Sequence, residues 1–408
     1  MLRTTRNVTI YAFSQALMMS AMTLILTATT LTGYILAEDK SMATIPVAAL
    51  FIAMMLTSIP ASLLMGRIGR KAGFMFSTLF GVSGSIIMTL SIIDGAFWLF
   101  TLGSALIGIY NGFGNYYRFA ASETVEQDKR SRAISYVMAG GVVAAIIGPN
   151  LANISKDWIV SAPFAGSYAA LIVIYGLSFM LLSLIDTNVT PGTADKFVKG
   201  EGRPLLTIVR QPQFILALIS GMFGYGIMTL VMTATPLSMQ NHTHDFSDTT
   251  MIIQWHVLGM FAPSFITGHL IRRFGTYKIL YAGVLLDIVC VATNLSGTTM
   301  THYWIALVAL GVGWNFLFIG ATSLLTETYK PQEKVKTQAL NDFMVFSTVA
   351  FASLSAGTLQ HHFGWQAVNI GVMPLLAIIL VTIIWVTNKE RRSSPDVSGA
   401  ELQTESES

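Results

Sequence analysis

From one end of the chain to the other, long apolar runs alternate with short polar connectors. A hydrocarbon layer about 30 Å thick needs about 20 apolar residues per crossing helix, and runs of that length recur throughout. The twelve predicted spans lie near residues 8–36, 43–65, 73–93, 96–121, 132–153, 164–186, 213–239, 249–271, 277–297, 302–326, 338–359 and 366–387. Membrane strands would alternate over about 10 residues, whereas these runs are continuously apolar, so the expected fold is all-α. Arg3 and Arg6 precede the first run as in a secretory signal. That run is too long for one and lacks a small-residue cleavage site, so it reads as the first permanent span.

Composition agrees with the pattern. Of the 408 residues, 53% are hydrophobic and 11% charged, against about 25% charged in an average soluble domain. A water-soluble globule is excluded in practice. The N-terminus and every second connector hold 22 of the 24 basic residues, and the other side holds only Lys40 and Lys156. This bias predicts a multi-pass protein of the cell inner membrane with both termini cytoplasmic and lipid as its surroundings. The net charge of +3 is therefore a topological signature, with nothing to suggest nucleic-acid binding. Cys290 is the single cysteine, so no intrachain disulfide can form. No nucleotide-binding Gly-rich loop with Lys-Ser/Thr is present, which argues against ATP as the direct energy source. No metal-ligand spacing or nucleophile-base pair stands out, so neither an enzyme nor a cofactor is expected.

The chain also repeats itself. Met22-Thr-Leu-Ile-Leu-Thr-Ala-Thr-Thr-Leu-Thr32 matches Met228-Thr-Leu-Val-Met-Thr-Ala-Thr-Pro-Leu-Ser238 at seven of eleven positions, at an offset of 206. Arg67-Ile68-Gly69 and Arg273-Phe274-Gly275 share that offset, and Asn111 and Asn315 sit in similar Gly-rich surroundings at an offset of 204. Six helices per repeat is an even number, so both halves enter the membrane in one direction and are related by an axis along its normal. The predicted organisation is an N-terminal half over 1–187, a cytoplasmic linker over 188–211, a C-terminal half over 212–387 and a disordered tail over 388–408.

These features resemble the major facilitator superfamily over the whole chain apart from the tail. The family's loop signature falls on Ser62 to Lys71, keeping Leu64, Arg67, Gly69, Arg70 and Lys71, with Ser62 for the first Gly and Gly66 for the Asp. Its second copy, Gly268 to Tyr277, keeps Gly268, Leu270, Arg273 and Gly275, with Arg272 at the Asp position. The fourth span has Gly108-Ile-Tyr-Asn111-Gly112-Phe-Gly114 where the family often carries an Arg linked to proton transfer, and that Arg is absent. In the fifth span Gly148-Pro149 is similar to a motif of antiporters, although Ala152 and Asn153 replace its later glycines; Gly140 and Gly141 read as close helix packing. Tyr117-Arg118-Phe119-Ala120-Ala121 and Gly313-Trp314-Asn315-Phe316 look like a bacterial group that includes riboflavin uptake transporters.

The resemblance implies a central cavity lined by the first, fourth, seventh and tenth helices, open in turn to each side of the membrane. In the fourth span Asn111, Asn115, Arg118 and Ser122 follow helical spacing and would form one polar stripe. Arg118 is the sharpest candidate, as a cation for a substrate carbonyl, an anion or a coupling carboxylate. The alternative is a snorkelling Arg or a partner for Glu123 or Asp342. Tyr11, Gln15, Met18 and Met22 share a face of the first span, as do Tyr225, Met228, Met232, Pro236 and Met239 of the seventh. Such stripes are often plain packing, but with Tyr110, Tyr117 and Trp314 they would suit a flat, ring-bearing substrate. Coupling or gating candidates are Arg67, Arg70, Arg118, Arg273, Asp342, Asp287 and His256. The leading expectation is a monomeric secondary importer of a small organic solute, with riboflavin suggested by the resemblance and protons as the candidate ion for symport. The alternative is a proton-coupled exporter of drugs or metabolites, favoured by the partial Gly-Pro motif and the Met-rich stripes.

Overall fold

The computed structural model describes residues 2–126, 129–187 and 202–393, and every long element in them is a helix. The first six spans are Leu2–Leu36, Ile45–Ile68, Arg70–Asp94, Phe97–Gly114 continued by Tyr117–Glu123, Arg130–Met138 continued by Gly140–Ser155, and Ala165–Ser183. A short helix, Leu205–Val209, leads into the seventh, Pro212–Asn241. The eighth is Phe246–Phe261 with Ser264–Phe274, the ninth Thr276–Ser296 and the tenth Met300–Glu327. The eleventh and twelfth run together as Lys334–Ser393 and part at Gly364, whose φ of 75° is not helical.

Among the described residues, ten helices are individually long and apolar enough to cross a membrane. The difference from twelve has two causes. Pro263, which lacks a backbone donor, interrupts the eighth span and leaves two pieces that are each too short. The long last helix contains two crossings on either side of Gly364.

The repeat is visible in the backbone. Gly69 and Gly275, separated by 206 residues, both adopt φ 87° with ψ of 157° and 153°, turning the chain from one span straight into the next. Only glycine takes this conformation without strain. Each half also has its own apolar core. The N-terminal one is centred on residues such as Leu24, Phe74, Tyr110 and Leu171, and the C-terminal one on Val231, Leu280, Leu310 and Ile379. Leu237 joins the first core and Ala145 the second, so the halves interlock. Outward-facing Leu56, Ile59, Leu63, Phe265, Phe351 and Val381 remain exposed, as a lipid-facing surface requires.

Residues 188–201 of the expected linker and 394–408 of the expected tail lie outside the described residues. Residues 388–393, assigned above to a disordered tail, instead continue the last helix. The reason is Glu390, whose carboxylate accepts from Gln213 Nε2 at 2.8 Å and from the Tyr277 hydroxyl, tying this helix end to the seventh and ninth spans. On the face opposite the N-terminus, Lys40 donates to the Tyr34 and Ala37 carbonyls at 2.7 Å. A cation there satisfies the orphan carbonyls at the end of the first span.

Candidate functional site

The two halves pack through the first span on the seventh, the fifth on the eighth and the second on the eleventh. Ser347 Oγ donates to Met55 Sδ at 3.3 Å midway along the second and eleventh spans, and further polar and aromatic fastenings lie on the face opposite the N-terminus. Asn150 donates to Gln254 Oε1 at 2.6 Å, the Gly357 amide donates to Thr44 Oγ1 at 3.2 Å, and the Phe164 and Phe246 rings meet edge to face at 4.8 Å. On the N-terminal face, the short helices Tyr117–Glu123, Arg130–Met138 and Ser264–Phe274 pack mainly within their own halves. Asp342 is exposed there.

Between the halves lies a cavity. The first span contributes Met19, Met22, Thr23 and Leu26, and the second adds Phe51. The seventh contributes Tyr225, Met228, Thr229, Met232 and Thr233, and the eighth adds Val257, Met260 and Phe261. About 70 Å³ is open to the centres of water molecules, room for several waters. Flexible thioethers dominate the wall and can repack around a larger guest.

Of the residues singled out in the sequence, Met22, Tyr225, Met228 and Met232 come together on this cavity. Trp314 stands behind it, stacked on Phe318 at 5.0 Å and edge-on to Tyr225 and Phe261 at 5.3 and 6.2 Å. Asn111 lies behind Met22, donating to the Ile107 carbonyl at 3.0 Å and to Met22 Sδ at 3.9 Å. Asn315 has a different task. Its amide donates to the Met260 carbonyl at 2.6 Å and Ser264 Oγ at 2.7 Å, and its oxygen accepts from Thr267 at 2.7 Å, so it braces the broken eighth span.

Other candidates lie elsewhere. Gln15 and Met18 are buried within the N-terminal half. Tyr110 points toward the sixth span, its hydroxyl 3.1 Å from Ser178 and its ring 4.7 Å from Tyr175. The stripe expected through Asn111, Asn115, Arg118 and Ser122 runs across an interruption of the fourth span at Asn115 and Tyr116. Tyr116, at that interruption, donates to the Ser58 carbonyl at 2.9 Å, two residues before Pro60 of the second span.

Arg118 lies over the Phe119 ring at 4.8 Å, and its buried Nε has no hydrogen-bond partner. Glu123, considered above as its partner, is held instead by Arg70 through bonds of 2.7 and 3.2 Å. Asp342 interacts with Arg118 electrostatically, but no ion pair joins them among the described residues. Arg67 and Arg273 are exposed, the latter over the Phe274 ring at 5.4 Å. His256 is buried against the tenth span, with Nδ1 2.8 Å from the Leu307 carbonyl and Nε2 unpartnered. Asp287 is also buried, facing Gly313 of the tenth span, and neither carboxylate oxygen has a partner. The lining residues Met19, Phe51, Met260 and Phe261 escaped the sequence reading; Met19 is one residue off the face chosen for the first span, and the second and eighth spans were not expected at the cavity.

At the mouth of the C-terminal half, Glu333 accepts from the Arg203 guanidinium at 2.7 and 2.9 Å and from the Arg203 and Lys330 amides at 2.7 and 2.9 Å. These donors, the guanidinium first, hold its carboxyl well below the usual carboxylate range.

The model of the Major Facilitator Superfamily matches residues 9–344 and 227–406. The riboflavin transporter RfnT of Brucella anthropi is 40% identical over 93% of this chain and 95% of its own length. The uncharacterized MFS-type transporter YddS of Bacillus subtilis is 26% identical over 86% of this chain and 85% of its own. Among solved structures, the nucleoside transporter NupG aligns with a TM-score of 0.70 at 11% identity, covering 93% of this chain and 99% of that one.

Proposed function

Because this chain belongs to the major facilitator superfamily, we propose that it is a secondary transporter that imports riboflavin across the cytoplasmic membrane by alternating access. The observation that carries this reading is the 40% identity, over nearly the whole of both chains, to a riboflavin transporter. The cavity supports it, since thioethers and the Tyr225 ring make a wall suited to a flat ring system. The bias of basic residues toward the N-terminal face supports a cytoplasmic position for that face. The fastenings between halves then close the periplasmic side, and the conformation is one that releases solute inward.

Uptake against a gradient needs an energy source, and we assign it to protons. Asp287 and His256, each buried with unpartnered polar atoms beside the tenth span, are the groups through which a proton can act on that helix. Arg118 and the exposed Asp342 lie on the N-terminal face, one in each half, where an approach of the halves would bring the two charges together.

The test is uptake of radiolabelled riboflavin by cells lacking riboflavin synthesis, with and without a protonophore. Expression should restore growth and accumulation, and the protonophore should abolish accumulation. Accumulation indifferent to it would reject proton coupling, and no uptake at all would reject the substrate. Arg118→Ala should insert normally and lose uptake; normal uptake by that variant would remove Arg118 from the transport cycle.

A further inference from the structure

The hydroxyl-bearing residues of the cavity wall are Thr23, Tyr225, Thr229 and Thr233, and they are not equivalent. Thr23 Oγ1 is fully engaged, lying 3.0 Å from the carbonyls of Met19 and Ala144 and 3.1 Å from that of Ser20. The Thr229 oxygen is enclosed by protein, as are the unpartnered oxygens of Ser14, Thr30, Ser220 and Ser353, so a solute in the cavity does not reach it. Tyr225 Oη and Thr233 Oγ1 differ from all of these. Among the described residues neither makes a hydrogen bond, and neither oxygen is closed off.

A threonine inside a membrane helix commonly returns its hydroxyl to the carbonyl four residues back. Thr27, which Thr233 matches at the repeat offset of 206, does so at 2.7 Å and is fully buried, and Thr235 and Thr348 do likewise at 2.7 and 2.9 Å. Thr233 makes no such bond, although its helix runs unbroken from Pro212 to Asn241. The residue is only 5% exposed, and it lines the cavity. Tyr225 and Thr233 are eight positions apart on one face of that helix, about 12 Å along its axis. Water can serve both hydroxyls at little cost until a solute enters. A solute that displaces the water without replacing its hydrogen bonds leaves them stripped of partners, which penalises the wrong compound.

We propose that Tyr225 Oη and Thr233 Oγ1 are the specificity-determining hydroxyls of the substrate site, selecting an uncharged ring compound with a hydrogen-bonding group toward each end. The inference rests on the transport reading above and deepens it by naming the groups that read the solute. Met228 and Met232 lie between the two hydroxyls, and their thioethers take the apolar middle of the compound. No charged side chain lines the cavity, so a charged compound finds no partner there. Both hydroxyls act on binding, so the loss of either should appear in KM before it appears in the maximal rate.

The experiment measures radiolabelled riboflavin uptake by wild type, Tyr225→Phe, Thr233→Val and Thr233→Ser, with the melting temperature of each purified protein. Phenylalanine and valine keep the shape and delete one oxygen, and serine keeps the hydroxyl. Each deletion should raise KM about tenfold, the usual loss for one buried hydrogen bond, with the maximal rate held within about twofold. Thr233→Ser should recover most of the loss. The phenylalanine and valine variants should melt at the wild-type temperature, because neither oxygen is bonded to the protein. A KM unchanged by either deletion, beside active wild type, overturns the proposal while leaving the transport reading intact. So does a fall in maximal rate with an unmoved KM. A variant that melts several degrees lower shows that its oxygen serves the fold, which also overturns the proposal. If wild type takes up no riboflavin, the substrate reading fails and this proposal fails with it.

Discussion

Two segments with nearly the same sequence, the middle of the first span and the middle of the seventh, meet different neighbours and do different work. In the first, the fifth span comes so close that Thr23 reaches the Ala144 carbonyl across the interface. The approach depends on Gly148: a Cβ there would overlap Thr23 Oγ1 and the Ser20 carbonyl oxygen. In the seventh, Thr229 lines the cavity and its buried hydroxyl has no hydrogen-bond partner. A repeat sets which helix position faces the axis. The neighbouring helix then decides whether that position is fastened across an interface or lines the cavity.

The largest effect should come from breaking the N-terminal side of this comparison. Gly148→Val would put its side chain into the backbone of the first span, which cannot retreat as a flexible side chain could. We expect no properly folded transporter, seen as loss of the monodisperse peak in size exclusion and of uptake. A folded, active variant would mean that the close approach is not what occupies Thr23.

Much of this was legible in the sequence, and the failures have physical causes. The crossings, the repeat and the Met22, Tyr225, Met228 and Met232 faces follow from hydropathy and helical spacing, because those helices are continuous where they matter. Spacing misleads wherever a helix is interrupted. Asn111 and Arg118 lie on separate pieces of the fourth span, Phe97–Gly114 and Tyr117–Glu123, and Pro263 divides the eighth. Tertiary partners were less legible still. Nothing in the local sequence shows that Arg70 would take Glu123 away from Arg118, or that Asn315 would brace another helix.

The second comparison is between Asn111 and Asn315, which occupy similar positions in the two halves. Asn315 makes three short bonds that hold the interrupted eighth span, whereas Asn111 bonds back to its own helix and touches a methionine sulfur. Asn315→Leu should therefore destabilise the protein by about 3 kcal/mol and Asn111→Leu by about 1 kcal/mol, from the groups each leaves unpaired. Thermal unfolding in detergent would measure both. Equal losses would mean that the broken span does not rely on its asparagine.

The last comparison is between two carboxylates on the N-terminal face, and pH separates them. Glu333 has a side chain only 1% exposed and is ringed by donors from Arg203 and Lys330, while the Glu123 and Arg70 side chains are 37% and 31% exposed. Because the folded carboxyl of Glu333 is held below its ordinary value of 4.5, its contribution to stability is complete above that value and falls as pH drops toward the folded one. Glu333→Gln should lower the melting temperature by a constant amount between about pH 8 and pH 5.5, and the gap to wild type should narrow below about pH 4.5. Glu123→Gln should cost less and respond more to added salt, since a half-exposed pair is screened by solvent and ions. If the two variants behaved alike, burial would not be what distinguishes the two clamps.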